Sequence, residues 1–193
     1  MSKIFYLMGK SASGKDTIYK KIKQQLKDFK TIVIYTTRPI REGEKNGVEY
    51  FFVDDNDVEN LQKEGKVIEL REYNTVHGIW KYFTVDDGQF DTEAHVIAIG
   101  TLQSYVQLKT YFGEEKMVPI YVEVEDGIRL ERALAREREQ KQPKYEEMCR
   151  RFLADAEDFS SKKLKEAGIE KKFSNIDMTQ CVEEIMLCIK ENL

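Results

Sequence analysis

The sequence predicts an α/β fold of three layers, in which a mostly parallel sheet lies between helices. Short, continuous apolar runs at residues 4–8 and 31–35 are typical of strands that are buried on both faces. Between them, Ile18, Ile22 and Leu26 are four residues apart, which is the spacing of one helix face. Buried strands that alternate with helices along one chain favour a parallel sheet covered on both sides. The length of 193 residues suits a single domain.

The remaining core elements follow the same alternation of β-branched runs and helical periodicity. We predict strands at 95–99 and 118–124, each followed by a helix, at 102–112 and from 126 to about 140. Pro143 ends that charged helix, because proline cannot continue the hydrogen-bond ladder. The core is completed by a helix at 145–164, a short strand near 173–176 and a helix at 182–192. The buried side of this last helix includes Cys181 and Cys188.

A different pattern occupies the middle of the chain. Short strands are predicted at 48–53, 66–73 and 79–85, with one helix at 55–64. The segment therefore indicates a small mixed α/β insertion instead of another strand-helix unit of the core.

Charge and cysteine content exclude several classes of function. Lys and Arg number 31 against 35 Asp and Glu, so the net charge is −4 and neither nucleic acid nor an anionic membrane is an expected partner. Three cysteines without paired spacing indicate neither a disulfide framework nor a zinc site. The first apolar run is too short for a signal peptide or a membrane span, which favours the cytoplasm. Nothing here indicates an oligomeric state.

A glycine-rich segment lies between the first strand and the first helix. It has the spacing G-x-x-x-x-G-K and consists of Gly9, Lys10, Ser11, Ala12, Ser13, Gly14 and Lys15. Such a loop wraps backbone N–H groups around phosphate oxygens, and the helix N-terminus adds partial positive charge. We therefore predict that residues 9–17 bind the phosphates of ATP and that Lys15 is catalytic. A plain strand-to-helix turn is the alternative.

The residue after the lysine departs from this motif. A Ser or Thr usually follows and binds Mg²⁺, whereas Asp16 stands here with Thr17 behind it. A carboxylate beside a phosphate is repelled unless a metal ion lies between them. We hypothesise that Asp16 binds Mg²⁺ and that Thr17 contributes; an acid favoured by the helix dipole is the alternative.

The segment that follows carries a family resemblance. Residues 36–53, T-T-R-P-I-R-E-G-E-K-N-G-V-E-Y-F-F-V, resemble the T-T-R-x-x-R-x-G-E-x-x-G-x-x-Y-x-F-V pattern of the guanylate kinase family. Residues 65–69, G-K-V-I-E, are similar to that family's G-x-F-(I/L)-E. The resemblance implies a P-loop NTPase-type fold with a core at 1–35 and 88–193, an acceptor-binding insertion at about 36–87 and a helical lid at about 132–151. It also implies Mg²⁺-dependent phosphoryl transfer from ATP to GMP.

Acceptor-binding residues follow from residue chemistry and from the resemblance. Arg38 and Arg41 present planar forks that suit a phosphate dianion, and the Tyr50 hydroxyl can complete its hydrogen bonds. The resemblance of residues 81–84 to the family's Y-Y-G-(T/S) places Tyr82 on the same phosphate and makes Thr84 an acceptor-binding residue. It gives Glu69 the N1–H and exocyclic amine of guanine. It also makes Arg38 catalytic. Surface arginines, a core tyrosine and a solvated glutamate are the alternatives.

The lid is predicted from two arginine-rich stretches, 130–138 and 150–157, which resemble the family's R-L-x-x-R and R-R-L-x-x-A. Arg132 and Arg136 are four residues apart and share one helix face. We expect Arg136 and Arg151 to be catalytic and Arg132 to bind ATP phosphates, since closing arginines stabilise the charge of the transferred phosphoryl group. A solvated, ion-paired helix is the alternative.

Three positions depart from the family pattern on the acceptor side. Ile34 stands where a small hydroxyl residue helps to read the guanine carbonyl, and Ala98 and Gly100 replace the acids of I-L-D-I-D. Asp16 is then a candidate for a relocated metal ligand. These departures leave two alternatives to a GMP kinase: a P-loop kinase for another nucleotide or small phosphate, and a nucleotide- or protein-binding module with little catalysis. We expect His77 and His95 to be structural.

Overall fold

A computed structural model describes residues 2–75, 78–90 and 93–193, without the side chain of Thr75. In chain order the elements are β1 (Ile4–Gly9), α1 (Lys15–Gln25), β2 (Lys30–Thr31), β3 (Tyr35–Thr36), β4 (Phe51–Phe52), α2 (Asp55–Lys63), β5 (Val67–Thr75), β6 (Gly78–Val85), β7 (Val96–Gly100), α3 (Leu102–Phe112), β8 (Met117–Glu123), α4 (Asp126–Arg138), α5 (Tyr145–Asp158), α6 (Ser161–Glu166), β9 (Lys172–Ser174) and α7 (Met178–Glu191). His77 lies outside the described residues.

The core sheet has the strand order β2-β7-β1-β8-β9, and all of its pairs are parallel. Successive side chains of the central strand β1 point to opposite faces. Tyr6 packs with Tyr105 of α3 on one face, whereas Leu7 packs with Ile18 of α1 and Ile185 of α7 on the other. The predicted three-layer α/β fold is therefore confirmed.

The insertion forms a second sheet of order β4-β3-β6-β5, in which β3 and β4 are parallel and the other pairs antiparallel. Helix α2 packs on it through Val58, which contacts Phe83 and Val85. The side chain of Asp54 accepts from the Asp57 N–H and caps this helix. This smaller unit, called the acceptor lobe below, begins at Tyr35 of β3 and ends at Val85 of β6.

The predicted strand at 31–35 is wrong. β2 stops at Thr31, and Tyr35 already pairs within the second sheet. The physical reason is a long-range contact: the Gln89 side chain accepts from the Val33 N–H at 2.9 Å and donates to the Val33 carbonyl at 3.1 Å. These contacts satisfy the backbone groups that a continuous strand would pair with a neighbour.

The predicted helix at 145–164 is interrupted. α5 ends at Asp158, and Ser160 is extended before α6 begins at Ser161. Phe159 is buried between the two helices and stacks on Tyr121 of β8 with ring centroids 5.5 Å apart. Burial of this ring accounts for the break. His95 is structural as expected, because its Nδ1 accepts from the Lys3 N–H.

Within the described part of the chain, none of the helices has both the length and the apolar character that a bilayer span requires.

Candidate active site

The glycine-rich loop starts where β1 ends. A Cβ atom on Gly9 would lie 2.6 Å from the carbonyl oxygen of Val122 in the adjacent strand, so only glycine fits there. Gly14 has a φ of 83° and directly precedes α1, a conformation that favours glycine. Ala12, with a φ of 60°, is a non-glycine residue in the left-handed region. The loop therefore has the tight backbone path that phosphate binding requires.

Lys15 and Asp16 form the first turn of α1 at the mouth of this loop. The Lys15 ammonium lies 3.6 Å from an oxygen of Asp16, and the Asp16 side chain is 79% exposed. Thr17 is also exposed, and the ammonium of Lys10 pairs with Asp126 of α4 at 3.2 Å. The mouth of the loop thus carries one ammonium, that of Lys15, and one exposed carboxylate, that of Asp16.

Helices α4 and α5 hold the loop through a buried arginine that sequence analysis missed. Arg129 is fully buried, and it donates to the Ser11 carbonyl at 2.9 Å and to Asp126 at 2.7 Å. Asp155 lies 3.4 Å from the same guanidinium and accepts from the Ser11 N–H at 2.7 Å. Phe152 covers the guanidinium plane at 4.6 Å. The i, i+3 spacing of Asp126 and Arg129 was the available sequence signal.

Two of the three predicted lid arginines contact the loop or its support. Arg151 of α5 donates to the Ser11 hydroxyl at 3.3 Å. Arg132 of α4 donates to the carbonyl of Asn175, whose buried side chain donates to the Ser13 carbonyl at 2.7 Å. Arg136 is exposed on α4, and within the described residues no hydrogen bond or ion pair links its guanidinium to the loop. A role for Arg136 in catalysis therefore stays a prediction.

The predicted acceptor-phosphate residues meet in the acceptor lobe. The Arg38 side chain is 3% exposed and donates to both oxygens of Glu44, at 3.0 and 2.8 Å. Its guanidinium lies 5.3 Å from the Tyr50 ring centroid, and Tyr50 meets Tyr82 edge-on at 5.7 Å. The Arg41 side chain is exposed, and the backbone N–H of Arg41 donates to Glu44 at 2.8 Å. Arg38, Tyr50 and Tyr82 therefore form one cluster with Arg41 beside it.

Glu44 is an anion in the place where an acceptor phosphate is expected. Hydrogen bonds from Arg38 lower the pKa of the Glu44 carboxyl, which keeps it charged. A phosphate dianion that binds Arg38 competes with this carboxylate, since both are acceptors for the same planar fork. Sequence analysis did not assign Glu44 to the site.

A cavity lies between the acceptor lobe and the core sheet. Its volume is about 20 Å³, room for one water molecule, and its walls are Tyr6, Ile32, Ile34, Glu69, Arg71, Thr84, Phe90, Ala98, Ile99 and Leu108. Glu69 is 2% exposed and accepts from the Thr84 hydroxyl at 2.7 Å. A bulge between Val67 and Glu69 sets this register. Glu69 is thus a buried carboxylate and not a solvated strand residue.

Gly100 leaves room for a tyrosine from the neighbouring strand. A Cβ at position 100 would lie 2.9 Å from the Cζ atom of Tyr6 and still closer to its hydroxyl. Burial raises the pKa of the Tyr6 hydroxyl, so it stays protonated at neutral pH. The place of the missing strand acid is therefore filled by a neutral phenol.

Comparison with known proteins decides the family. The model of the family described as guanylate kinase matches residues 1–179. The chain belongs to the guanylate kinase family. This confirms the membership predicted from the loop and from residues 36–53.

Relatives and a solved structure agree with this assignment. The chain is 34% identical to guanylate kinase of Oceanobacillus iheyensis over 52% of its own length and 50% of the relative's. It is 40% identical to guanylate kinase of Thermobifida fusca over 35% and 34% of the two lengths. These matches therefore span half or less of each relative. A crystal structure of guanylate kinase from Anaplasma phagocytophilum is 22% identical, with a TM-score of 0.65 over 98% of this chain and 85% of that one, and shows the shared fold.

The family implies Mg²⁺, and the residues at the loop fit such an ion. Among the described residues, no group of three or more His, Cys, Asp or Glu side chains converges on one point. Mg²⁺ does not need such a group, because one or two carboxylates, substrate phosphates and water usually complete its shell. Asp16 offers one exposed carboxylate beside Lys15. Asp16, with Thr17 next to it, remains our candidate.

Proposed function

We propose that this protein transfers the γ-phosphoryl group of ATP to a nucleoside monophosphate, with GMP as the preferred acceptor. The observation that carries the proposal is that one strand serves both sites. Tyr6 of β1 lines the cavity that contains Glu69, and the same strand reaches the phosphate loop at Gly9. Three residues of strand rise roughly 10 Å, so an acceptor in the cavity lies near a donor in the loop.

Catalysis by this arrangement rests on positioning and on charge neutralisation. The chain needs no covalent intermediate, because phosphoryl transfer passes directly between two oxygens that the protein holds in line. Lys15 neutralises the β- and γ-phosphates, and Arg151 and Arg132 approach the same loop from the lid. Mg²⁺, when held by Asp16 and the phosphates, supplies further neutralisation of the developing charge.

On the acceptor side, Arg38 and Arg41 bind the phosphate of the monophosphate with help from the Tyr50 and Tyr82 hydroxyls. The Glu69 carboxylate accepts hydrogen bonds from N1–H and the exocyclic amine of guanine, with Thr84 holding the carboxylate in place. Adenine carries no proton at N1, so its N1 lone pair would face the buried Glu69 carboxylate in place of a donor, which is costly.

The specific observation that favours another acceptor is the apolar Ile34 in the wall of this cavity. An assay of ADP release, with ATP, Mg²⁺ and a panel of nucleoside monophosphates, decides between the possibilities. We expect the highest kcat/KM with GMP. A different preferred monophosphate would support the alternative kinase, and nucleotide binding without turnover would support a binding module.

A further inference from the structure

The cavity that contains Glu69, called the base cavity below, is also lined by Arg71, an arginine that the sequence patterns did not indicate. Arg71 is 8% exposed. It follows Glu69 by two residues in β5, so both side chains lie on the same face of the strand. Ile34 lines the same cavity, and its side chain carries no hydrogen-bond donor. A donor toward a base carbonyl is therefore missing at position 34 and present at position 71.

The geometry of the Arg71 guanidinium divides its donors into two groups. Nε and Nη2 donate to the two oxygens of Glu69, at 3.0 and 3.3 Å. Nη1 makes only a long contact, 3.5 Å, with the hydroxyl of Thr101 among the residues that the structure describes. Since a guanidinium carries five N–H groups, the end that bears Nη1 keeps donors for a ligand.

The chemistry of guanine matches this remaining pair of donors. Arginine binds the O6 and N7 atoms of guanine through two parallel N–H groups, and this pairing discriminates against adenine, which presents an amino group instead of O6. Glu69 can still accept from N1–H and the exocyclic amine, because each carboxylate oxygen has a further lone pair. The buried pair therefore offers donors and acceptors in the order that the guanine edge requires.

We propose that Arg71 reads the carbonyl at position 6 of the acceptor base, the role for which Ile34 has no donor. This inference rests on the proposed function, in which the cavity binds the base of a monophosphate. It makes Arg71 a specificity-determining residue whose partner Glu69 holds it in place. The cavity must widen before a base enters, because its present volume of about 20 Å³ holds only a water molecule.

The test measures equilibrium binding of three monophosphates, by calorimetry, to the whole protein and to R71K. GMP and inosine 5′-monophosphate carry the carbonyl, whereas 2-aminopurine riboside 5′-monophosphate lacks both the carbonyl and the N1 proton but keeps N7 and the exocyclic amine. Lysine retains the charge beside Glu69 but is a single point donor. We expect Kd to rise about tenfold or more for the first two ligands and by about threefold or less for the third, which loses only the contact with N7.

A rescue and a matched control sharpen the result. I34S in the R71K background places a hydroxyl in the cavity wall and should restore a large part of the lost affinity for GMP and inosine 5′-monophosphate.

The control variant is R150K. Arg150 also pairs with both oxygens of a glutamate, Glu147, but it lies on the exposed lid. We expect R150K to leave all three Kd values unchanged.

Each contrary outcome has a defined meaning. An equal loss for all three ligands would show that Arg71 only supports the pocket, and no loss for GMP would show that it does not contact the base; either result overturns the inference. If the unmodified protein does not prefer GMP to the 2-aminopurine ligand, the proposed acceptor itself is wrong. The two failures are thus distinguished by the unmodified protein alone.

Discussion

At the scale of single residues, the site depends on a few side chains that combine charge with a fixed position. Lys15 is the cation that α1 places directly after the loop, because Gly14 ends the loop in a left-handed conformation. Its ammonium is held by Asp16 at 3.6 Å, a contact that an incoming phosphate can replace. The side chain therefore needs little rearrangement to meet the donor.

Replacing Lys15 by Met should reduce kcat by about 100-fold or more, because the transferred phosphoryl group loses a preorganised positive charge. The ADP-release assay measures this effect, and thermal unfolding confirms that the variant folds. K20M changes an exposed lysine of the same helix and should keep normal kcat. Normal turnover by K15M would contradict the assignment of the loop.

The metal hypothesis has its own test at Asp16. In D16S the Mg²⁺ concentration that gives half-maximal rate should rise several-fold, because the carboxylate ligand is lost while water and phosphates remain. D28S removes an exposed acid of the loop after α1 and serves as the control. An unchanged Mg²⁺ requirement in D16S would remove Asp16 from the metal site. A variant that places an aspartate at position 100 is a poorer test, because Tyr6 fills the space that the new side chain would need.

At the scale of elements, the phosphate loop is fixed by helices that lie far from it in sequence. Arg129 joins α4 to the Ser11 carbonyl, and Asp155 joins α5 to the Ser11 N–H. Loop, α4 and α5 are therefore held by one buried cation between two carboxylates. A buried charge that loses its partner is costly, so these contacts must break or form together.

R129M should lower the free energy of unfolding by about 2–4 kcal/mol, because Asp155 is left largely buried without its cation. Urea unfolding measures this loss. R150M removes an exposed lid arginine and should cost less than about 1 kcal/mol. Equal stability of R129M and the unmodified protein would show that the loop does not depend on this contact.

The contact of Arg129 with Asp126 predicts a dependence on pH. Hydrogen bonds from Arg129 lower the pKa of Asp126, so the stability from this pair is present above the unfolded pKa of about 4. It is lost as the pH falls through the lowered, folded-state pKa. The difference in unfolding free energy between R129M and the unmodified protein should therefore shrink below about pH 4. A difference independent of pH would contradict this coupling.

The elements also show what sequence alone can predict. β1, the loop and α1 are specified by local patterns, and the bounds predicted for α3 are those observed. The strand at 31–35 was wrong because Gln89, more than fifty residues later, binds the backbone of Val33. The helix at 145–164 was wrong because Phe159 packs on Tyr121. Both errors arise from contacts that no local periodicity contains.

The same limit applies to the site. Arg38, Tyr50 and Tyr82 were predicted from a motif, and the structure brings them together. Arg71 and Glu69 lie on one strand face, so their proximity could be predicted from the sequence. The burial that makes them pair depends on β7 and α3, which no local pattern contains. The Arg129 contact with the Ser11 carbonyl could not be predicted, because it joins residues far apart in the sequence. Glu44 lies six residues after its partner Arg38 within the same motif, so that pair could have been found from the sequence.

At the scale of the whole molecule, the acceptor lobe and the core are joined by two chain passages, residues 32–34 and 86–90. The Gln89 side chain connects these passages, because it binds both backbone groups of Val33 and also donates to Asp87 at 2.9 Å. The base cavity lies just beyond this junction and is too small for a base as it stands. Because Ile32, Ile34 and Phe90 of these passages line the cavity, we expect the Gln89 contacts to restrain its opening.

Replacing Gln89 by Ala should loosen the acceptor lobe without unfolding the core. Amide hydrogen exchange measures this, since each backbone N–H reports the opening of its own element. We expect faster exchange across residues 35–75 and 78–85, and unchanged exchange in β1, β7 and β8, because the core sheet keeps all of its parallel pairs. Q103A removes an exposed amide side chain of α3 and should change neither region. Faster exchange in both sheets would show one cooperative unit, and no change in either would show that Gln89 does not restrain the lobe.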